Sequence, residues 1–511
     1  MVSRALLGLV SFRPWIAGLT FATFALVQNG AGAGTSAPQP DILLIMPDQF
    51  RGDCLSVLGH PVVHTPNLDR LAREGALFRR AYSTAPSCIP ARFALLTGLA
   101  PQTSGVVGYA EKRITTPTLP AELVKVGYAT ALVGRNMHQG EQNGSLGYET
   151  QIFGSTYLAE DEYDVELKKA VPTAGGIRPL VELLRLDNNR WPAKAWPLAE
   201  EWHPTAWIVR RARETIAQSA GAKPLFLTAS FYAPHPPLFP PARIFDANLK
   251  RELPPVAMGS WVDRRALSTA GNPAGDRILL EGETLRRAQA GYFGLIDHLD
   301  EQIAELIADF KARSEKAGRA WIIVVTSDHG EMLGDHGFFR KCEPYEGSAN
   351  IPLLITGSPS LGFARGLRSL QPVCLEDIMP TLLALAGAES PGKLDGVNLG
   401  PVLRGVRTEV REWLHSEHAP AYGQAQAFHA LTDGREKYLW RPLDGSEQLF
   451  DLSVDPNEMH DLSTVPAARA ELEKWRERLV RRLAGRPEGF SAGGNLIAGR
   501  PYPPIQIEPR H

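Results

Sequence analysis

Short, uninterrupted apolar runs recur along this chain: Asp41–Pro47, Ala129–Val133, Leu225–Phe231, Trp321–Val325 and Pro352–Thr356. A run of this length without polar alternation is the pattern of a strand buried on both faces, as in a parallel sheet. Segments with helical spacing lie between the runs. In 285–310, Leu295, Leu299, Ile303, Leu306 and Phe310 fall on one stripe, and Thr65-Pro66 opens a capped helix that ends near Gly75. Strands alternating with helices predict an α/β fold, a large sheet flanked by helices on both faces.

The texture changes after about residue 410. Ala427–Thr432, Glu436–Arg441 and Gln448–Leu452 are short alternating segments separated by Asp433-Gly434 and Asp444-Gly445, which are hairpin signals. An amphipathic helix follows, with Leu472, Trp475, Leu479 and Leu483 on one face and Gly485 past its end. This predicts a smaller C-terminal antiparallel sheet covered by a helix. The expected organisation is a main α/β domain over 41–410, the small sheet over 411–485 and an irregular tail over 486–511.

The first residues read as a targeting segment. Arg4 and Arg13 precede an apolar stretch from Trp15 to Val27, and Ala31-Gly32-Ala33 forms a small-x-small cleavage pattern. The expectation is a signal peptide over 1–33, cut near Ala33, and a polar linker over 34–40. That places the mature protein outside the cytoplasm, secreted or periplasmic, through the secretion machinery and with no stable membrane span. A formal net charge of −2 over 511 residues gives no support for nucleic-acid binding. The four cysteines, Cys54, Cys88, Cys342 and Cys374, are too few for a disulfide scaffold, and no pair has zinc-finger spacing.

Two of the predicted strands end in polar groups: Asp48-Gln49 follows the first, and Asp328-His329-Gly330-Glu331 follows Trp321–Thr326. In open α/β sheets, ligands sit beyond the carboxyl ends of the strands. Carboxylate, amide oxygen and imidazole gathered there suit a divalent cation, whereas separately each aspartate reads equally well as a turn cap. The segment Ser87-Cys88-Ile89-Pro90-Ala91-Arg92 runs into an apolar helix that stops at Thr97-Gly98. Pro90 suits the first helical turn, and Cys88 just ahead of it meets free N–H groups that favour developing negative charge. Arg92 adds a planar cation.

These segments resemble the type I, formylglycine-dependent sulfatases of the alkaline phosphatase superfamily. The resemblance rests on Cys88-x-Pro90-x-Arg92, on Ile45–Asp53, on Thr326–Gly337, and on Lys341 with Pro344-Tyr345-Glu346-Gly347-Ser348. Val373–Leu383 and Gln448–Leu452 extend it over nearly the whole mature chain. It implies an alkaline-phosphatase-like sheet and conversion of Cys88 to formylglycine by a maturation enzyme. It also implies a divalent cation, Ca²⁺ first with Mg²⁺ or Mn²⁺ as alternatives, held by Asp48, Gln49, Cys88, Asp328 and His329.

By the same resemblance, Cys88, Arg92, His138, His235 and Lys341 are catalytic. One hydroxyl of the hydrated formylglycine attacks sulfur, His235 protonates the departing alcohol, and His138 helps release sulfate. Lys341 and His235 also touch the substrate. Departures from the family pattern are Ala91 where serine is commonest, Gln49 where a second aspartate is usual, and Asn136 at a lysine position. Arg135 then becomes the candidate substrate contact. Asp335 and His336 are expected to shape a loop rather than bind the ion.

The activity implied is hydrolysis of an anionic sulfate ester, of a sugar or an aryl alcohol. A phosphonate or phosphate ester hydrolase and a non-catalytic binding protein are the rival readings. Substrate contacts are expected from loops 140–205 and 240–285. There Trp191, Trp196, Trp202 and Trp207 could stack on sugar rings or pack into the core.

Overall fold

The first strand shows why a sheet with two covered faces forms. Every residue of β1 (Asp41–Asp48) is buried. Leu43 and Ile45 enter one hydrophobic core, while Ile42, Leu44 and Met46 enter another on the opposite face. In this computed structural model the described residues are 38–506, apart from 139–143, 157–159, 220 and 270–276. The expected signal peptide, most of the linker and residues 507–511 therefore lie outside them.

The remaining strands of this part are β2 (Ala76–Phe78), β3 (Ala81–Tyr82), β4 (Ala129–Gly134), β5 (Thr150–Phe153), β6 (Leu225–Pro234), β7 (Trp321–Thr326), β8 (Leu353–Gly357), β9 (Leu367–Ser369) and β10 (Val373–Cys374). Seven of them join β1 in one eight-stranded sheet, in the order β5-β4-β6-β1-β7-β8-β2-β9. It is mixed, because β8 runs antiparallel to both β7 and β2. The four strands β4, β6, β1 and β7 are parallel neighbours, so their carboxyl ends open on one side.

The helix Gly282–Lys316 carries the expected apolar stripe into the first core. Trp196 and Trp207 are buried in that core and Trp191 and Trp202 pack against it, so these rings serve packing instead of standing free as sugar platforms. On the other face lies the helix Cys88–Thr97, buried along its whole length and ended by Gly98 in the left-handed region at φ 66°. Its first helical residue is Cys88 and its N-cap is Ser87, so Cys88 sits inside the first turn rather than ahead of it.

The C-terminal sheet has four antiparallel strands, β11 (Leu414–His418), β12 (Phe428–Thr432), β13 (Glu436–Trp440) and β14 (Glu447–Asp451). The helix Arg469–Leu483 packs Leu472, Trp475, Leu479 and Leu483 against it. Sequence patterning missed β11, which is buried throughout although Leu414 is its one apolar residue, followed by His415, Ser416, Glu417 and His418. All four cysteines are free and buried. No helix among the described residues is long and apolar enough to cross a membrane.

Candidate active site

The parallel strands deliver their next residues to one place. Asp48 ends β1, Asp328 and His329 follow β7, His235 follows β6 and Arg135 follows β4. Gly134 permits the last of these. Its φ is 105°, and a Cβ there would stand 2.0 Å from the Ser230 carbonyl oxygen, in a register that also brings Arg135 N–H to that oxygen at 2.8 Å. After β1 the backbone turns sharply: Gln49 has φ 66°, its N–H donates to Asp328 Oδ1 at 3.1 Å, and its carbonyl accepts from Tyr292 Oη at 2.6 Å. A left-handed, non-glycine residue held from both sides is the kind of local strain found at functional sites.

At the centre, ligand atoms of Asp48, Cys88, Asp328 and His329 all lie within 4.8 Å of one another, and all four residues are buried. His329 Nε2 is 3.2 Å from Cys88 Sγ and 3.7 Å from Oδ1 of each aspartate. His329 Nδ1 lies 2.9 Å from the Gly330 carbonyl oxygen, so Nε2 is the ring nitrogen that faces the centre, where Asp328 raises the imidazole against the effect of burial. The outer oxygens of the carboxylates are engaged elsewhere. Arg92 gives Nη2 to Asp48 Oδ2 and Nε to Asp328 Oδ2, both at 2.9 Å, and Arg135 Nε lies 2.7 Å from Asp48 Oδ2. Arginine thus takes the Oδ2 atoms and leaves the Oδ1 atoms facing the centre.

Lys341 closes the other side. Its Nζ is 3.0 Å from Cys88 Sγ, 3.2 Å from Gln49 Oε1 and 3.0 Å from His235 Nε2. Gln49 Nε2 donates to Glu331, which orients Oε1 toward the centre. His235 Nδ1–H donates to the Pro236 carbonyl at 2.7 Å, so Nε2 accepts from Lys341. His138 stands at the rim, 3.2 Å from Arg135 Nη2 and edge-on to Tyr109. It joins the centre through Arg135 and Asp48. Asn136 turns its carbonyl toward the guanidinium groups of Arg92 and Arg135.

Electrostatics follow from this arrangement. Burial pushes the Cys88 thiol up, but Lys341 and His329 outweigh it and hold the thiol well below its usual range. Burial likewise opposes ionisation of Asp48, yet Arg135 and Arg92 keep its carboxyl below the ordinary value. Asp328 is also held low: burial and the neighbouring Asp48 raise it, while His329 and Arg92 bring it down. Burial, then Lys341, holds His235 far below the usual imidazole range, so it is neutral. His138 is held low by burial and then by Arg135.

Two buried carboxylates with inward Oδ1 atoms, an imidazole nitrogen and the Cys88 sulfur, all within 4.8 Å of one another, form a set that suits a divalent cation. Asp335 and His336 lie outside this group. Asp335 binds Arg51 at 2.7 Å and His336 packs on Trp261. Sequence reasoning gave no role to Glu331, Tyr292 or Ser230, whose hydroxyl oxygen accepts from Arg92 Nη1 at 3.3 Å. Only Glu331 carried a signal, its place in the Asp-His-Gly-Glu run.

A sulfatase family model matches residues 40–388, and a model of the N-sulphoglucosamine sulphohydrolase C-terminal region matches 334–484. An arylsulfatase of Clostridium perfringens is 33% identical over 91% of this chain and 98% of its own length. A choline-sulfatase of Rhizobium meliloti is 32% identical over 84% of this chain and 83% of its own. Among solved structures, the phosphonate monoester hydrolase of Agrobacterium radiobacter superposes with a TM-score of 0.72 at 25% identity, covering 87% of this chain and 95% of that one. The strand order, the buried carboxylate and cysteine centre and these matches agree: the chain belongs to the sulfatase family of sulfuric ester hydrolases, on the alkaline-phosphatase-like fold.

Proposed function

We propose that this chain hydrolyses sulfate esters of a sugar or aryl alcohol at Cys88, after that residue is converted to formylglycine and with a divalent cation, Ca²⁺ first, in the adjoining site. The carrying observation is the contact of Cys88 Sγ with Lys341 Nζ and His329 Nε2, with the inward-facing Oδ1 atoms of Asp48 and Asp328 alongside. Asp48, Asp328 and His329 would hold the ion, with Gln49 Oε1 beside them. The ion supplies Lewis-acid charge at the nonbridging oxygens of the sulfate. Formylglycine supplies a geminal diol, one hydroxyl to attack sulfur and the other to release sulfate.

The rest falls to this chain's own side chains. Lys341 and Arg135 face the anion. Lys341 carries a proton that His235 Nε2 accepts as a hydrogen bond, so the pair, rather than an isolated imidazolium, serves as the proton reservoir for the departing alcohol. His138, tied to Arg135, stands at the rim where the second hydroxyl loses its proton. The apolar leader supports export to the periplasm or beyond.

Peptide mass spectrometry across Cys88, paired with turnover of 4-nitrophenyl sulfate, tests the reading. Loss of sulfur and gain of an aldehyde in active protein supports it; an unmodified thiol in fully active protein overturns it. A second reading, phosphonate ester hydrolysis, draws on the phosphonate hydrolase likeness and on Gln49, which removes one negative charge from the ion's surroundings. A kcat/KM on 4-nitrophenyl phenylphosphonate above that on 4-nitrophenyl sulfate selects it.

A further inference from the structure

Lys341 is flanked by two residues in the left-handed region, Arg340 at φ 72° and Cys342 at φ 71°. The backbone is held there by Glu331 Oε1, which accepts Arg340 N–H at 2.5 Å, and by the Pro86 carbonyl, which accepts Cys342 N–H at 2.9 Å. This fixes the exit of both neighbouring cations, Arg340 and Lys341. Lys341 is accounted for by Cys88, Gln49 and His235. Arg340 is not.

Arg340 is only 7% exposed, its Nε is buried without a hydrogen-bond partner, and no ion pair joins it to a carboxylate among the described residues. The other buried arginines of this region are paired: Arg92 with Asp48 and Asp328, Arg135 with Asp48, and Arg441 with Glu343. A buried guanidinium without a counter-ion carries a desolvation cost that a bound anion would relieve. Its guanidinium lies over Tyr422, in the loop after β11, whose ring centre is 4.2 Å from Arg340 Cζ. Stacking on an aromatic face holds a guanidinium flat and leaves its in-plane donors free.

The pair belongs to the surroundings of the reacting centre. Arg340 is among the charges that depress His235, and Cys88 is among the groups that raise the Tyr422 phenol, after burial in each case. Because Lys341 already faces the position of the sulfate, a second fixed cation one residue away reads a second negative group. We propose that Arg340, on its Tyr422 platform, is a specificity-determining residue that binds an anionic group, a carboxylate or a second sulfate, on the alcohol half of the substrate. This rests on the sulfate-ester reading above. It makes the preferred substrates sulfate esters whose alcohol is itself an acid, and the planar fork suits bidentate oxyanions.

The test compares kcat/KM on phenyl sulfate, on the isomeric carboxyphenyl sulfates and on the benzene bis-sulfates, for the intact protein and for Arg340→Met. The expected result is a preference of about tenfold or more for at least one doubly anionic member over phenyl sulfate, the scale of one charge-assisted bidentate contact. Arg340→Met then lowers that ratio by about tenfold, chiefly through KM. Since a ring substituent alters the leaving group itself, the change of the ratio between variants carries the test. Carboxylate and bis-sulfate series separate the two anion types.

No preference in the intact protein, or a preference that survives Arg340→Met, overturns the inference while phenyl sulfate turnover leaves the sulfatase reading standing. Absence of turnover on every member, with Cys88 converted, overturns both. If Arg340→Met does not fold, Arg340→Lys, which keeps the charge and loses the fork, must lower the same ratio; an unchanged ratio sinks the proposal.

Discussion

His418, the last residue of β11, meets Ser87: His418 Nε2 and Ser87 Oγ are 2.7 Å apart, both residues fully buried. His418 Nδ1–H donates to the Ala419 carbonyl, so Nε2 accepts and Ser87 donates. Ser87 occupies the N-cap position of the helix whose first residue is Cys88. The C-terminal sheet therefore reaches the residue next to Cys88.

This contact predicts coupling between two distant parts of the chain. His418→Ala leaves a buried hydroxyl without its acceptor and should cost about 1–3 kcal/mol. In a double-mutant cycle with Ser87→Ala, urea unfolding should show a coupling of about 0.5–3 kcal/mol. Additive costs would show that the two side chains merely fill space.

Arg92 bridges Asp48 and Asp328, with one nitrogen to each at 2.9 Å. Arg92→Met leaves two buried carboxylates facing each other and should lower unfolding free energy by about 3–5 kcal/mol. Added divalent cation should recover part of that loss. A cost under about 1 kcal/mol in denaturant titration would contradict the bridging role.

Chelation should act on the same group of ligands. Dialysis against a chelator is expected to lower the melting temperature, and returning cation at about 100 times its Kd should restore about 2.7 kcal/mol. Asp328→Asn should weaken cation binding, read by calorimetry with the metal salt alone. Equal affinity in the variant would place the ion elsewhere.

Glu376 gives a pH prediction away from the centre. Burial raises its carboxyl from 4.5 to about 7, although Thr84 Oγ1 donates to it, and Oε2 has no partner. The folded state thus holds this proton where the unfolded state has lost it. The contribution is fully present below pH 4.5 and disappears as pH rises toward about 7. Its size is about 3 kcal/mol at most. Glu376→Gln should flatten the fall of stability across that window; an unchanged slope would refute the assignment.

Much of the sheet was legible because β1, β4, β6, β7 and β8 are buried on both faces and need uninterrupted apolar runs. The strand ends were legible for the same reason, since Asp48 and Asp328 interrupt those runs abruptly. β11 was not. Its buried side chains bind polar partners, with Glu417 taking Arg486 and Tyr502 and His418 taking Ser87, and apolar periodicity cannot register them. Tyr292 and Ser230 were invisible for a related reason: each acts through a contact far along the chain, with no local motif. Arg135 was named from its neighbourhood, but its attachment to Asp48 appears only once β4 and β1 share a sheet.

The burial of Cys88 also sets an order of events. The groups that enclose it, His329, Lys341 and, through Ser87, His418, are made 241 to 331 residues after the positions they meet. During synthesis, the segment 87–92 exists for a long interval before its cover does. Under the proposed conversion, the maturation enzyme would meet an uncovered Cys88 only within that interval, on a chain not yet closed, so folding of the later strands would compete with the modification.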